Sequence, residues 1–238
     1  MRTMRPRLFL LDVEGTIAPL SLVTDQLFPY ARTHLPRYLQ ERSREPAVQG
    51  DLALLVEENT AESDASCPRI TAAQDWEEAV AYLLWLMDRD RKSTALKSLQ
   101  GRIWRGGFEN GDLKGTLFAD VPAALERWSA NGQVAIYSSG SVAAQMLLFR
   151  FSIFGDLTAL ISGYFDTRTG PKIATASYQA IAMAMDVEPR EVVFFSDAVR
   201  ELDAAREAGL QTRLTMREGN AEVEDAHGHR RIKSFNVL

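Results

Sequence analysis

Short, nearly continuous apolar runs alternate with amphipathic stretches along much of the chain. Five such runs predict strands, at 7–11, 133–137, 160–165, 191–195 and 211–214. Apolar residues at helical spacing separate most of them and predict helices, at 121–130, 141–151, 174–185 and 201–208. Alternating helices and apolar strands are typical of a parallel sheet covered on both faces. We therefore predict an α/β fold built on such a sheet.

The interval between Thr16 and about Lys114 breaks this alternation, because it carries almost no strand pattern. Helices are predicted at 24–40, 50–61 and 94–108. Another helix has a single apolar face, formed by Trp76, Ala79, Val80, Leu83, Leu84 and Met87. That face fits core packing better than its alternative, a ligand groove. We predict an all-helical insertion at 20–112 within a core formed by 1–19 and 113–238. The glycine-rich stretch 106–115 is expected to be the return linker.

The first predicted strand ends in two carboxylates, Asp12 and Glu14, followed by a glycine turn. The carboxyl ends of parallel strands are where active sites of open α/β sheets gather. Two acids so close together repel each other, and a bound cation or a raised pKa relieves the repulsion. A strand that happens to end in an acidic turn is the alternative interpretation.

Three further segments follow predicted strands in the same way. Ser138 and Ser139 precede a helix, where hydroxyl and backbone N–H groups suit a phosphate. Lys172 follows the third strand, and Asp197 follows the fourth, with Glu201 one helical turn later in a position to support a metal site. Taken singly, these residues also fit a serine helix cap, a solvated lysine and an aspartate helix cap.

Taken together, the four segments resemble the haloacid dehalogenase-like phosphohydrolases, in which an acid pair, a hydroxyl loop, a lysine and an acid occur in this order. The runs 11–16, 27–32, 113–115, 137–145 and 162–167, and 196–197 with 201–205, are more specifically similar to the enolase-phosphatase (acireductone synthase) family. Glu14 is a marker of that family, because most related phosphatases carry Asp there. The chain departs from the family pattern at 16–18, and at Glu218, where Pro is common.

The resemblance implies a Rossmann-like, doubly wound core and an Mg²⁺-dependent, bifunctional enzyme of methionine salvage. Such an enzyme enolises 2,3-diketo-5-methylthiopentyl-1-phosphate and then removes phosphate, which yields the acireductone 1,2-dihydroxy-3-keto-5-methylthiopentene. The helical insertion would act as a cap that excludes water and recognises the thioether end of the substrate. The group that abstracts the proton during enolisation stays open, with Glu14 as one candidate.

The resemblance also implies roles for individual residues. Asp12 would be the nucleophile, and Glu14 would protonate the leaving oxygen and later activate water. Ser138, Ser139 and Lys172 would hold the phosphate, which gives Lys172 a catalytic as well as a binding role. One Mg²⁺ per chain would be bound by the carboxylates of Asp12 and Asp197 and by the backbone carbonyl of Glu14. The absence of His and Cys from these motifs disfavours zinc.

Two alternative functions follow from the same residues. One keeps the fold but changes the substrate to another small phosphomonoester, such as a sugar phosphate or phosphoserine. The other is a non-catalytic, receiver-like module that accepts a phosphoryl group beside Mg²⁺. Receiver domains lack a large insertion after the first strand, and the length of this chain therefore counts against the second alternative.

Composition adds limits on partners and location. A net charge of −5 with scattered basic residues argues against nucleic acid as a partner. The single cysteine, Cys67, excludes an internal disulfide and suits a reducing compartment; we expect it to be a bystander in a polar loop. No stretch is long and apolar enough to predict a membrane span or a signal-peptide core. We expect a cytoplasmic monomer that acts on a small phosphorylated molecule.

Overall fold

The computed structural model describes residues 5–72 and 75–237, together with every side chain in these ranges except that of Val237. Residues 1–4 and 238 of the predicted core, and 73–74 of the predicted insertion, lie outside the described residues. The chain forms two compact units, Met1–Val23 with Lys114–Leu238, and Thr24–Leu113.

The first unit is built on a six-stranded parallel sheet with strand order β3-β2-β1-β4-β5-β6. The strands are β1 Leu8–Leu11, β2 Gln133–Tyr137, β3 Gly163–Phe165, β4 Val192–Ser196, β5 Gln211–Thr215 and β6 Arg230–Ile232. β1 lies at the centre and pairs with β2 on one side and β4 on the other. The predicted parallel sheet is therefore confirmed, with one strand more than the five expected.

Four helices of this unit cover the two faces of the sheet: α5 Val121–Ser129, α6 Val142–Arg150, α7 Thr175–Ala184 and α8 Val199–Glu207. Side chains of α7 and α8 pack with alternate strand residues such as Leu10 and Phe194 in one buried cluster. On the other face, Trp128 of α5 stacks on Phe9 with ring centroids 4.9 Å apart. Alternation along each strand thus supplies both faces with apolar side chains, as a doubly wound sheet requires.

The second unit is helical, with α1 Phe28–Arg42, α2 Pro46–Ala61, α3 Trp76–Asp88 and α4 Thr94–Glu109. A π-helical turn at Leu22–Leu27 precedes α1. The stripe predicted on α3 contributes Ala79 and Leu83 to the buried core, which also contains Cys67. Cys67 lies in the polar loop between α2 and α3, as predicted, but its side chain is buried.

Two predictions about element boundaries were wrong. Gly106 and Gly107 were assigned to a return linker, but they lie within the last turn of α4, which continues to Glu109. Gly107 fits there because a Cβ atom at this position would lie 2.6 Å from the ring of Tyr30. The third strand begins only at Gly163, because Thr158–Leu160 forms a short 3₁₀ turn.

Strand β6 is joined to α8 through a buried histidine. The ring of His229 contacts Asp203 Oδ1 through Nε2 at 3.1 Å and Thr212 Oγ1 through Nδ1 at 2.7 Å. Burial lowers the pKa of His229 below its usual value, and the nearby carboxylate of Asp203 only partly opposes this effect. The folded state therefore favours the neutral form of the His229 ring.

This burial predicts a specific loss of stability in acid. Folded His229 binds a proton less readily than unfolded histidine, so stability that is present above a pH of about 6.5 is lost as the pH falls. Urea unfolding at pH values of about 7.5 and about 5.5 measures this loss. We expect His229→Gln to show a smaller loss than the wild type, whereas the control His227→Gln, at a half-exposed neighbour, retains it. Equal losses in the wild type and His229→Gln would contradict the prediction.

Candidate active site

The loop after β1 places two carboxylates at the carboxyl edge of the sheet. Residues 13–18 fold back on themselves, since the N–H groups of Ile17 and Ala18 both donate to the carbonyl of Val13 at 2.9 Å. Gly15 adopts φ +70°, a left-handed conformation that glycine accepts readily. This turn, together with Asp12 at its start, is called the nucleophile loop below (residues 12–18).

Asp12 is buried and is held from two directions. Its carboxylate forms an ion pair with the Nζ of Lys172, and the hydroxyl of Thr16 donates to its Oδ2 at 3.4 Å. Its own backbone N–H donates to the carbonyl of Phe195 in β4 at 3.0 Å. The central position of β1 thus fixes the side chain from both the sheet and the loop.

Glu14 points toward the hydroxyl loop that follows β2. Ser138 is buried, and its Oγ donates to Glu14 Oε2 at 3.3 Å and accepts from the N–H of Gly140 at 3.0 Å. Burial, followed by the negative charge of Asp12, raises the pKa of Glu14. A carboxyl group in this environment holds a proton more readily than a solvated one, as a general acid requires.

Lys172 lies between two carboxylates. Its Nζ contacts Asp12 and lies 2.7 Å from Glu201 Oε2, which in turn accepts from the Oγ of Ser196 at 2.9 Å. Burial alone would lower the pKa of Lys172, but these two carboxylates outweigh it and hold the pKa above its usual value. The side chain therefore presents a permanent positive charge. Glu201 was expected to support the metal site, and in this structure it supports Lys172.

Hydrogen bonds fix the backbone on both sides of Lys172. Tyr137 Oη donates to the carbonyl of Gly170 at 2.8 Å, and Tyr178 Oη donates to the carbonyl of Lys172 itself at 2.6 Å. Ser177 Oγ donates to the carbonyl of Pro171 at 2.8 Å. Three consecutive carbonyls, at 170–172, thus accept hydrogen bonds from β2 and α7. These bonds hold the loop in place although it has no regular secondary structure.

Asp197 faces the nucleophile loop from the end of β4. A Cβ atom added to Gly15 would lie only 2.3 Å from its Oδ2, so the carboxylate packs directly against the glycine backbone. Burial and the charge of Asp12 raise the pKa of Asp197 to about 6. Asp197 is not a helix cap, because α8 is preceded by Ala198 and receives no side-chain cap. The structural alternative considered for this residue is therefore wrong.

The structure thus brings Asp12, Glu14, Ser138, Lys172 and Asp197 together at one edge of the sheet. Ser139, the sixth predicted site residue, follows Ser138 and is exposed to solvent. The serine cap proposed as an alternative is provided by Ser141, whose Oγ accepts from the N–H of Ala144 at 3.3 Å.

Oxygen donors at this edge fit a magnesium ion. Asp12 and Asp197 are two nearby carboxylates whose mutual repulsion a divalent cation would relieve. No three His, Cys, Asp or Glu side chains within residues 5–72 and 75–237 form a metal-binding group. The predicted set is smaller, since it uses two carboxylates and one backbone oxygen. Mg²⁺ is commonly bound in this way, with water and substrate phosphate as its other ligands.

Two residues beside the site were not predicted from the sequence. The amide of Asn220 donates to the carbonyl of Gly15 at 2.9 Å, and Arg217 Nε donates to the carbonyl of Thr16 at 2.9 Å. Both belong to a run that figured in the family comparison only for its unusual Glu218. Gly219, which lies between them and adopts φ +88°, was the one signal of a turn that the sequence offered at this point.

Comparisons with known proteins agree with this geometry. Residues 6–209 match the family model described as haloacid dehalogenase-like hydrolase. The chain is 53% identical to "Enolase-phosphatase E1" of Synechococcus elongatus over 216 residues, which cover 90% of each protein. It is 45% identical to the protein of the same name from Branchiostoma floridae, covering 96% of this chain and 82% of the relative. The crystal structure of the UTR4 protein of Saccharomyces cerevisiae superposes with a TM-score of 0.82 at 36% identity, covering 98% of this chain and 100% of that one.

Proposed function

Since the chain belongs to the enolase-phosphatase E1 family of haloacid dehalogenase-like hydrolases, we infer that it is an acireductone synthase. It enolises 2,3-diketo-5-methylthiopentyl-1-phosphate and then hydrolyses the phosphate ester, in methionine salvage. The observation that carries this conclusion is the high identity to enolase-phosphatases over nearly the whole chain. The receiver-like alternative does not fit a chain of this hydrolase family.

Asp12 is the nucleophile of the proposed phosphatase step. Its carboxylate oxygen attacks phosphorus, and the bond between phosphorus and the substrate oxygen breaks as an aspartyl-phosphate forms. In the described structure the ammonium group of Lys172 pairs with this carboxylate. Because Lys172 is also held by Glu201, it remains in place when a phosphate group approaches Asp12. There it offsets the negative charge that develops on the phosphoryl oxygens.

Glu14 is the proposed acid and base. In the first step its proton passes to the leaving oxygen of the substrate. In the second step the resulting carboxylate takes a proton from the water that attacks the aspartyl-phosphate, which returns Glu14 to its starting state. Its raised pKa supports the first role, and the hydrogen bond from Ser138 Oγ orients the carboxyl group for both.

Ser138 and Ser139 are the proposed phosphate-binding residues of the loop after β2. Ser138 is fixed by its buried position and by its bonds to Glu14 and Gly140. The loop itself is fixed from behind by Gln145, whose Nε2 donates to the carbonyl of Gly140 at 2.8 Å. The exposed residue Ser139 then lies in a loop that these hydrogen bonds hold in place.

Mg²⁺ is the cofactor generally used by this family, and we propose one ion per chain held by Asp12, Asp197 and the backbone carbonyl of Glu14. When bound, Mg²⁺ would polarise the diketone and offset the charge of the phosphate group. We also propose that the helical segment 20–112 is the cap that recognises the thioether end of the substrate. Thr24–Leu113 forms a compact unit with its own apolar core, which supports treating it as a separate module.

Location and oligomeric state complete the proposal. No helix in the described ranges, 5–72 and 75–237, combines the length and apolar content needed to cross a membrane. Cytoplasmic location and a monomeric state remain predictions. Sedimentation equilibrium of the full chain tests the second of them, and a mass near 26.6 kDa is expected.

The proposed function is tested by following the diketone phosphate in the ultraviolet while free phosphate is measured in parallel. We expect the enediol chromophore and phosphate to form with Mg²⁺ present. EDTA is expected to stop both, and excess Mg²⁺ to restore them, because the cation is expected to polarise the diketone and offset the charge of the phosphate.

Different outcomes of this assay separate the alternatives. Phosphate release without the chromophore, together with faster turnover of a sugar phosphate or phosphoserine, would support the simple phosphatase instead. Full activity in metal-free buffer would contradict the proposed magnesium site while leaving the substrate assignment intact.

A further inference from the structure

The side chain of Asn220 has a fixed orientation beside the nucleophile loop. Its Nδ2 donates to the carbonyl of Gly15 at 2.9 Å and lies 3.4 Å from the carbonyl of Thr215. Since both neighbours are acceptors, the NH₂ group must face them, and Oδ1 must face the other way. The direction of the carbonyl oxygen of Asn220 is therefore set by its surroundings.

This Oδ1 is buried and has no hydrogen-bond partner among the described residues. A buried acceptor without a partner destabilises the protein, because it has lost its hydrogen bonds to water. Few side-chain atoms within residues 5–72 and 75–237 are buried without a hydrogen-bond partner. Oδ1 of Asn220 is one of them, and it lies close to Asp197 of the proposed metal site. A hydrogen-bond donor at this position would remove the penalty.

The space that Oδ1 faces is shared with Asp197. The position that a Cβ atom of Gly15 would occupy lies 3.0 Å from Asn220 Oδ1 and 2.3 Å from Asp197 Oδ2. Two acceptor oxygens thus border the same small region, which only a glycine at position 15 leaves open. Acceptors so placed repel each other unless a donor or a cation lies between or beside them.

The turn that carries Asn220 is rigid. Arg217 Nε donates to the carbonyl of Thr16 at 2.9 Å, and the N–H of Asn220 donates to the carbonyl of Arg217 at 3.2 Å. Gly219, with φ +88°, closes the turn between them. Residues 217–220 therefore hold two consecutive carbonyls of the nucleophile loop and position Oδ1 without help from substrate.

We propose that Asn220 is a positioning residue with two roles: its NH₂ group holds the nucleophile loop, and its Oδ1 accepts a hydrogen bond from the water shell of the Mg²⁺ beside Asp197. The inference rests on the proposed function, since it presupposes that magnesium binds at this edge. It assigns to Asn220 a part in metal affinity that neither Asp12 nor Asp197 supplies.

Magnesium affinity of the substrate-free protein tests this role directly. The thermal midpoint of the full chain is measured at increasing Mg²⁺ for the wild type, Asn220→Leu, Asn220→Ala and Asn220→Asp, and each midpoint is compared with that of the same protein without metal. Asn220→Leu and Asn220→Ala remove both the donor and the acceptor. Asn220→Asp keeps an acceptor but loses the NH₂ group that holds the loop.

We expect Asn220→Leu and Asn220→Ala to weaken Mg²⁺ binding about 10–100-fold, the usual effect of losing a residue that orients a metal's ligands. Asn220→Asp is expected to stay within about threefold of the wild type or to bind more tightly, because the acceptor is kept and a negative charge is added. Asn131→Leu is the matched control. That residue also donates its amide to a backbone carbonyl, of Arg127 at 2.7 Å, but it is exposed in the turn after α5.

The outcomes separate the possibilities. If all three variants weaken Mg²⁺ binding equally, Asn220 only holds the loop, and the role of Oδ1 is rejected. Unchanged affinity in Asn220→Ala also rejects it. If the wild type itself shows no midpoint shift with Mg²⁺, the magnesium site of the proposed function fails, and this inference fails with it. Should Asn220→Leu not fold, Asn220→Ala and Asn220→Asp supply the same comparison.

Discussion

Replacing Asp12 with asparagine is expected to lower the rate of phosphate release at least about 1,000-fold, because an amide cannot form the aspartyl-phosphate. The fold is expected to survive. Lys172, the buried partner of Asp12, keeps its ion pair with Glu201 at 2.7 Å, so no buried charge loses all its partners. The oxygen of the introduced amide can still accept from the hydroxyl of Thr16.

The measurement is phosphate release under saturating substrate and Mg²⁺, with circular dichroism to verify the fold. Asp225→Asn is the matched control, since it makes the same chemical change at a side chain that is 80% exposed. Near-normal turnover in Asp12→Asn would reject the nucleophile assignment. Loss of activity in both variants would point to an effect of net charge rather than of a single site.

The second large effect concerns stability rather than catalysis. Replacing Asp120 with alanine is expected to lower the free energy of unfolding by about 3–5 kcal/mol, the usual result of removing one partner of a buried ion pair. Asp120 Oδ2 accepts from Arg217 Nη1 at 2.8 Å, Ser234 Oγ at 2.8 Å and the N–H of Phe235 at 2.7 Å. Burial alone would raise the pKa of Asp120, but these donors hold it below its usual value. Without the carboxylate, Arg217 remains buried and unneutralised.

Urea unfolding of the two proteins measures this difference. Arg7→Ala is the control, since it removes an exposed ion pair with Glu191, and a loss of less than about 1 kcal/mol is expected. A loss in Asp120→Ala as small as that in the control would show that the buried pair contributes no more than an exposed one. Because Arg217 also binds the carbonyl of Thr16, we expect the nucleophile loop to become less ordered as well.

The sheet and the central residues of the site were predictable from sequence because both depend on local patterns. Runs such as Val192–Ser196 are apolar on both faces, which is the signature of a buried parallel strand. Asp12, Ser138 and Asp197 directly follow such runs, and parallel strands present their carboxyl ends at one edge. Asp12 and Asp197 were therefore expected to be near each other although 185 positions separate them in the sequence.

Features that depend on tertiary contacts were not predictable in this way. Strand β6 has only three residues, and two of them are exposed arginines, so it carries no apolar pattern. Asn220 lies in a polar turn whose relation to Gly15 arises only when β5 and β1 are in the same sheet. The end of α4 was missed because glycines, here Gly106 and Gly107, usually disfavour helices. At position 107 the close packing against the ring of Tyr30 requires a glycine.

The partners of Lys172 show the same limit at the level of one side chain. Its place after the third strand indicated a role at the edge of the sheet, but nothing in the sequence indicated that Glu201 would be its ion-pair partner. That contact depends on the position of α8 relative to the loop after β3. The spacing between Asp197 and Glu201 suggested that Glu201 supports the metal site. In the structure Glu201 instead pairs with Lys172.

β1 is synthesised first but completes its backbone pairing late. Its neighbours, Gln133–Tyr137 and Val192–Ser196, leave the ribosome only after the whole of Thr24–Leu113 has been made. Until then a strand as apolar as Leu8–Leu11 has two unpaired edges, which invites association with other chains. The helical unit is one continuous segment and is free to form in the meantime. Synthesis without chaperones is therefore expected to be more prone to aggregation than refolding of the complete chain at low concentration, where both partners of β1 are present from the start.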